Sequence, residues 1–520
     1  MGEDKGGALT WWQTWWGAGA IALLCALPLL WPSLPPLVDL PGHMAAFRVE
    51  LDGAHSPSLQ HYYSLHWAVI GNLGLNLLVI PLSKLFGLEL AVKLIMTAVP
   101  PMTAAGFLWT AREAHGRIPA TALFAIPFTY SYPFIFGFAN FVLSEALCFL
   151  AFGLWLMLAR KQLWLLRSLL FVPIGGIVWA AHTTGWGTLG ILAFSAEWMR
   201  RRDHGMEWKR AGLLAALQCL SLCLPILLML IWRSGDVAGT TGGLLNLPTK
   251  ANNLFYALRD RWWWLDFVSI LLVIALLAYA VFGRATAWAR GLAVAAILLG
   301  LIYVLLPQRI FGSSYADMRL LPYMIATALL AIRPLDHKKL LAGVGLAFVL
   351  LRMGAETCSF LLYDRTIQSE LPALDHVPRG ARLISFVGTA CRSRWPMTRL
   401  DHLPGMAVVR REAFSNDQWS VAGAQLDRAE YPGGPFSKDP SQIVSFERCP
   451  TRWPSLDSSL RLFPRAAFDY LWLINPPAYD HKLVQGMVPV WSNGRSTLYR
   501  IVDHRQPVSR STDTLPAATT

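Results

Sequence analysis

The chain has 520 residues, of which 54% are hydrophobic and 23 are Trp, and its mean hydropathy is positive. Apolar runs of about 20 residues cross a bilayer as helices, so this composition excludes a soluble fold. The formal charge of +13 would suit nucleic acid, but many of the cations sit in short connections between apolar runs. There they act as cytoplasmic retention signals, which leaves anionic lipid as their partner.

In chain order, apolar spans fall near residues 17–37, 88–111, 118–138, 140–159, 165–181, 184–199, 211–232, 265–282, 290–306, 318–333 and 339–361. The expectation is therefore a polytopic α-helical membrane protein with about eleven transmembrane helices. The first span lacks a small-residue cleavage site, and Leu24 before Cys25 makes a poor lipoprotein signal, so it reads as an uncleaved anchor. The stretch 67–86 is also apolar. Counting it as a span would put Arg112 and Arg117, then Arg160, Lys161 and Arg167, on the outer side. Leaving it out places those residues inside, together with Arg200–Arg202, Lys209, Arg210, Arg284, Arg290, Arg333, Lys338 and Lys339, as the positive-inside rule requires. The N-terminus is then cytoplasmic and the C-terminus external. Residues 67–86, interrupted by Gly71, Asn72, Gly74, Asn76 and Pro81, become helices lying in the outer interface.

This topology divides the chain into a transmembrane domain (1–364), an extracytoplasmic α/β domain (365–505) and a disordered tail (506–520) rich in Ser, Thr, Pro and Ala. Outer loop 38–87 carries Asp39, His43, Arg48, Asp52, His55, His61 and His66. Outer loop 233–264 opens on the run Gly239-Thr240-Thr241-Gly242-Gly243 and closes on Trp262-Trp263-Trp264, an anchor at headgroup depth. In the C-terminal domain, residues 382–387, 470–474 and 496–501 read as strands. Cys25, Cys148, Cys219, Cys223 and Cys358 lie in or at the ends of apolar spans, where packing is their default role; Cys391 and Cys449 are candidates for an external disulfide.

With the cationic connections inside, the conspicuous polar motifs gather on the opposite side: Val38-Asp39-Leu40-Pro41-Gly42-His43, Asn140, His182-Thr183-Thr184 and the run from Arg309 to Arg319. Asp39 precedes Pro41 at a helix start. Its carboxylate can either accept the free amides of that helix or act as a general base on a sugar or lipid hydroxyl. His43 lies four residues on and shares its helix face. The pair can orient an acceptor or hold a divalent cation, though one Asp and one His are too few ligands to define a metal site. His182, at the outer end of a span, is costly next to lipid and so is a functional candidate; its alternative is a hydrogen bond to a neighbouring helix. Arg309 and Arg319 run against the charge bias of outer loops, and bidentate phosphate binding explains them. An Arg309–Asp317 salt bridge is the competing explanation. Glu145, in the span after Asn140, either lines the same cavity or bonds to a neighbouring helix. Arg352 and Glu356, spaced i,i+4, neutralise each other.

An inward N-terminus, an outer loop opening on an acidic residue, interfacial helices, a polytopic core and a C-terminal external α/β domain together resemble the GT-C superfamily of integral membrane glycosyltransferases. The local carrier of the resemblance is Asp39-Leu40-Pro41-Gly42-His43. Leu40 stands where a second acid often stands in that family. The resemblance implies a polyprenyl-phosphate-linked sugar as donor, no other cofactor, and Asp39 as catalytic base. The expected activity is sugar transfer to a lipid, glycan or protein acceptor at the outer face of the cytoplasmic membrane. His43 accompanies the base, and Arg309, Arg319, Asp317, His182, Asn140, Glu145 and Arg48 line the donor or substrate site. The alternatives are a transporter or flippase of lipid-linked saccharides, favoured by discontinuous helices near the midplane, and a non-catalytic envelope-assembly subunit.

Overall fold

The computed structural model describes residues 10–231, 241–310, 313–390, 395–419, 425–446, 453–507, 513 and 515. Cys391 and Cys449, Gly239-Thr240 and most of the tail lie outside the described residues. Among the described residues, five helices are long and apolar enough to cross a membrane, or six if the bent pair Trp208–Leu222 and Leu224–Ile231 is one span. The five include Leu88–His115, Ala139–Arg160, Trp164–Ala181 and Trp263–Phe282. Four further apolar helices have 10 to 17 residues: Trp15–Leu24, Gly74–Phe86, Ala120–Phe136 and Arg290–Leu305.

The differences from the expected spans have local causes. The first helix runs from Trp15 to Leu24 and is followed only by the short Leu27–Leu30 turn. Pro32, Pro35 and Pro36 then deny the chain its backbone donors, so residues 31–39 are not helical. Residues 67–73 are likewise non-helical, and one helix, Gly74–Phe86, stands where a set of interfacial helices was expected. The 118–138 span is mostly a buried 3₁₀ run, Ala120–Tyr130, followed by the Tyr132–Phe136 turn. A segment apolar on every side belongs inside a bundle. The last apolar run extends well past its expected end, as a 33-residue helix from Lys338 to Glu370. At 1.5 Å per residue it is about 50 Å long, against a hydrocarbon core of about 30 Å.

The two sets of polar residues lie at opposite ends of the helices. At one end Arg112 stacks on Trp15 at 3.9 Å, Arg160 pairs with Glu113 at 2.8 Å, Arg167 pairs with buried Glu197 at 2.6 Å, and Arg290 pairs with Asp203. At the other end Asp39 N–H donates to Phe136 O at 2.9 Å, Leu73 N–H to Ala180 O at 2.7 Å and Thr183 N–H to Gly71 O at 2.9 Å.

That second end carries a mixed sheet. Its strand order is Met487–Ser492, Thr497–Ile501, Tyr470–Ile474, Arg382–Thr389 and Phe414–Ser415, with Ile443–Ser445 also paired to Arg382–Thr389. All three runs read as strands from sequence are in it. Tyr470–Ile474 runs parallel to Arg382–Thr389 and antiparallel to Thr497–Ile501. Alternate side chains point to opposite faces of a strand. Leu383, Val387, Trp472 and Ile474 therefore join the core shared with the helices, while Ile384, Phe386, Leu471 and Leu473 enter a second core around Phe436 and Phe463. A small ladder, Tyr63–Leu65 against Asp427–Ala429, adds a further tie to residues 38–87.

A buried charge network fixes these parts together. Arg352 pairs with Asp266 at 2.6 Å and Glu356 at 2.5 Å, and donates to Leu258 O at 3.0 Å. Asp266 also accepts from the Trp395 indole at 2.7 Å and from Asp260 N–H at 2.8 Å. Asp260 pairs with Arg399, which donates to Pro36 O at 2.8 Å. The Arg352–Glu356 pairing matches the sequence expectation; Asp266 is a second partner that spacing does not reveal.

Replacing Arg352 by Met leaves two buried carboxylates facing each other and is expected to cost about 3–5 kcal/mol. The melting temperature of purified protein should fall accordingly. The neutralised triple variant Arg352→Met, Asp266→Asn, Glu356→Gln should recover most of the loss.

Candidate functional site

The site begins where the chain leaves its first helix. Val38 and Asp39 dock on the 131–137 turn through Val38 N–H to Ile135 O (3.3 Å) and Asp39 N–H to Phe136 O (2.9 Å). The approach requires a glycine: Gly137 has φ +95°, and a Cβ there would lie 2.9 Å from Asp39 N. Asp39 then caps the Leu40–Asp52 helix in position only. Its carboxylate accepts none of the helix amides, so the capping explanation does not hold and the group is left for other work. Its side chain is almost buried, 11% exposed.

Arg319 and His402 act on that carboxylate, and His182 shares the field of Arg319. Arg319, on the Ala316–Ala331 helix, lies over the Phe138 ring at 3.9 Å and donates to Ser314 O at 3.1 Å. Its charge reaches Asp39, His43 and His182 together. His182 ends the Trp164–Ala181 helix and begins Thr183–Asp203, accepting Thr184 N–H at Nδ1 (3.1 Å) with Phe141 edge-on to its ring. From the C-terminal region comes His402, 6% exposed, with Nε2 3.9 Å from Asp39 Oδ1 and 3.7 Å from Asp439 Oδ1. Trp419 covers both histidines, at 4.3 Å from the His402 ring and 5.0 Å from that of His43. Gly42 admits it, since a Cβ there would come within 2.7 Å of the indole.

Burial pushes the Asp39 carboxyl up to about 7, with the His402 charge opposing the rise. Burial, aided by the charges of His402 and Arg319, lowers His43 to about 4, so it is neutral. For His402 burial again favours the neutral ring, but the hydrogen bond to Asp417 and the charges of Asp439 and Asp39 outweigh it and raise the group to about 10. The site thus holds an acid poised near neutrality between two cations, the arrangement expected of a proton-transfer centre.

Of the residues singled out in the sequence, Asp39, His43, His182 and Arg319 come together. The others have different surroundings. Asn140 spends its amide on the 72–76 turn, accepting Leu75 N–H (2.6 Å) and donating to Asn72 O (2.7 Å) and Asn76 Oδ1 (3.2 Å). Glu145 is buried and accepts from Thr188 on a neighbouring helix at 3.0 Å. Arg48 pairs with Asp52 (2.9 Å) and Glu412 (3.1 Å), tying the Leu40–Asp52 helix to the C-terminal region. Asp317 is paired with Lys250 at 3.0 Å, a partner that sequence spacing does not reveal. Arg309 sits in a two-residue strand whose backbone partner, Ser314, also accepts from Arg319. Among the described residues, no three His, Cys, Asp or Glu side chains are grouped to hold a metal ion. His402, Asp439, Asp417 and Trp419 escape sequence reading because no spacing links them to position 39.

Fold and site define a helical membrane protein whose bundle carries, at one end, a carboxylate between cations, completed by residues of a mixed sheet domain. No family model and no curated protein sequence matches the chain. Two solved structures of ArnT from Cupriavidus metallidurans, one bound to undecaprenyl phosphate and one in the apo state, align over 93% of this chain and 96% and 97% of theirs. Both have a TM-score of 0.48, with 12% and 14% identity.

Gly42→Val is expected to push Trp419 off the two histidines. Hydrogen exchange across residues 398–419 should rise about tenfold while the Ala139–Arg160 helix keeps its protection.

Proposed function

We propose that the chain is a membrane glycosyltransferase that moves a sugar from a polyprenyl-phosphate-linked donor to a lipid, glycan or protein acceptor at the outer face of the cytoplasmic membrane. The observation that carries this reading is the Asp39 carboxylate, unspent by its helix and facing the Arg319 guanidinium at one end of the bundle. The donor class comes from the resemblance in architecture to GT-C transferases. With the cationic loops cytoplasmic, this end of the bundle and the sheet are external.

In the proposed reaction Asp39 takes the proton of the acceptor hydroxyl, whose oxygen bonds to the anomeric carbon. The bond from that carbon to the phosphate oxygen breaks with its electron pair, and inversion follows. Arg319, with His182 beside it, stabilises the departing lipid phosphate. Arg309, whose backbone meets the Arg319 side chain at Ser314, adds a second cation on the same lip.

The bent helix at Cys223 is the feature that favours a transporter. The cavity beside that bend, about 310 Å³, is walled by Trp186, Ile191, Phe194, Leu222 and Leu298 with the thiols of Cys219 and Cys223. Such a wall offers an ion or a saccharide little to bind.

The test is sugar release from a panel of radiolabelled polyprenyl-phosphate sugars by purified protein in lipid. Asp39→Asn should lower turnover roughly 10²- to 10⁴-fold at matched folded amounts; undiminished turnover removes Asp39 as base, and no turnover of any donor by folded wild type overturns the reading. Arg319→Gln should reduce kcat/KM roughly 10²-fold while leaving protein yield intact; parallel loss of yield and activity would assign it a structural role. Because the base must be ionised and burial holds Asp39 near 7, kcat/KM should fall as pH drops below about 7 and level off above it.

A further inference from the structure

His402 has no part in the transfer as written, yet it is buried against the proposed base. Its Nδ1 lies 3.1 Å from Asp417 O. A carbonyl oxygen only accepts, so Nδ1 carries hydrogen. The opposite nitrogen, Nε2, then faces Asp439 Oδ1 at 3.7 Å and Asp39 Oδ1 at 3.9 Å. A neutral ring would point a lone pair at two carboxylates, whereas a second proton turns both contacts into attractions.

The ring is held in this pose. Trp419 packs over it at 4.3 Å. Asp439 is anchored by Gln442 Nε2 at 2.8 Å, and Asp417 by Ser415 Oγ at 2.6 Å and Gln418 Nε2 at 3.1 Å. The charges facing Asp39 and His402 from the surrounding elements are Arg319 from the Ala316–Ala331 helix and Asp401, Asp417 and Asp439 from the C-terminal region; His43, on the helix of Asp39, is neutral. Without a cation at position 402, Asp39 would stand among those acids with Arg319 alone opposing them.

Resting on the transferase reading, we infer that His402 is a positioning residue for the reaction: its imidazolium, fixed by Asp417 and Asp439, holds Asp39 as a carboxylate aimed at the acceptor hydroxyl. The C-terminal domain thereby supplies part of the acid–base apparatus. The acceptor proton passes to Asp39, and His402 keeps both of its own protons throughout. The upward shift of His402 to about 10 agrees with this geometry.

The experiment titrates Asp39 without substrate. Water-soluble carbodiimide with glycine ethyl ester labels protonated carboxyls, and mass spectrometry of full-length protein in lipid gives labelling at Asp39 against pH. His402→Gln is expected to raise the midpoint by about one pH unit or more, and His402→Lys, which keeps a cation, to leave it near wild type. The acidic limb of kcat/KM should move with the midpoint, whereas a merely structural residue would lower activity equally at every pH. An unmoved midpoint in folded His402→Gln overturns the inference. Histidine-selective ¹⁵N spectra of wild type give a reading that needs no substitution. A doubly protonated ring should persist at about pH 8.5, roughly two units above the ordinary histidine value, and absence of that signal also overturns it. If the midpoint shifts as expected while wild type turns over no donor, the Asp39–His402 pairing stands and the transferase reading falls.

Discussion

Burying charge at the edge of a membrane is tolerable only where every charge finds its counterpart, and that condition organises this molecule. Arg352 draws Asp266 and Glu356 to itself, Asp266 takes the Trp395 indole, and Asp260 takes Arg399, whose other contact is the carbonyl of Pro36. The partners come from the Lys338–Glu370 helix, the Trp263–Phe282 helix and the residues just before it, and the C-terminal region, so no charged member can leave without stranding another. The 399–402 turn is thereby set beside residues 36–39, and the meeting of His402 with Asp39 follows from it.

The same logic separates residues that build from residues that act. Asn140, Arg48 and Asp317 each have protein partners that account for them, the 72–76 turn, Glu412 and Lys250, while Glu145 gives one oxygen to Thr188. The Asp39 carboxylate is different, since its helix makes no use of it. Electrostatically the site is an alternation, with Arg319 and His402 as cations, Asp39 and Asp439 as acids, and His43 neutral between them.

Periodicity carried most of the architecture, because long apolar runs and alternating strands are local patterns. Helices at 88–115, 139–160 and 263–282 and the three main strands were legible for that reason. Pro32, Pro35 and Pro36, which keep the chain non-helical after the Leu27–Leu30 turn, stand in the sequence, but the hydropathy of the run hides their effect. Half of the site could be read as well: Asp39 and His43 share a helix turn, while His182 and Arg319 are anomalous in position. His402, Asp439 and Trp419 could not be found, because sheet topology and a buried ion network bring them to Asp39 across more than 350 residues of chain. Lys250 and Asp266 were missed for the same reason, each being paired with a residue far away in sequence.

The Lys338–Glu370 helix is unbroken for 33 residues and leads, through the Leu371–His376 turn, into the region whose 401–404 turn holds His402. A rod of that length is longer than a hydrocarbon core of about 30 Å is thick, so a span of this kind reaches beyond the apolar layer. Helices answer a thicker or thinner bilayer by tilting, but Arg352 ties this one to Asp266 and Leu258, and Arg399 ties the sheet region to Asp260 and Pro36. The two halves of the site therefore answer the bilayer as one body, and their register belongs to the protein rather than to the lipid around it.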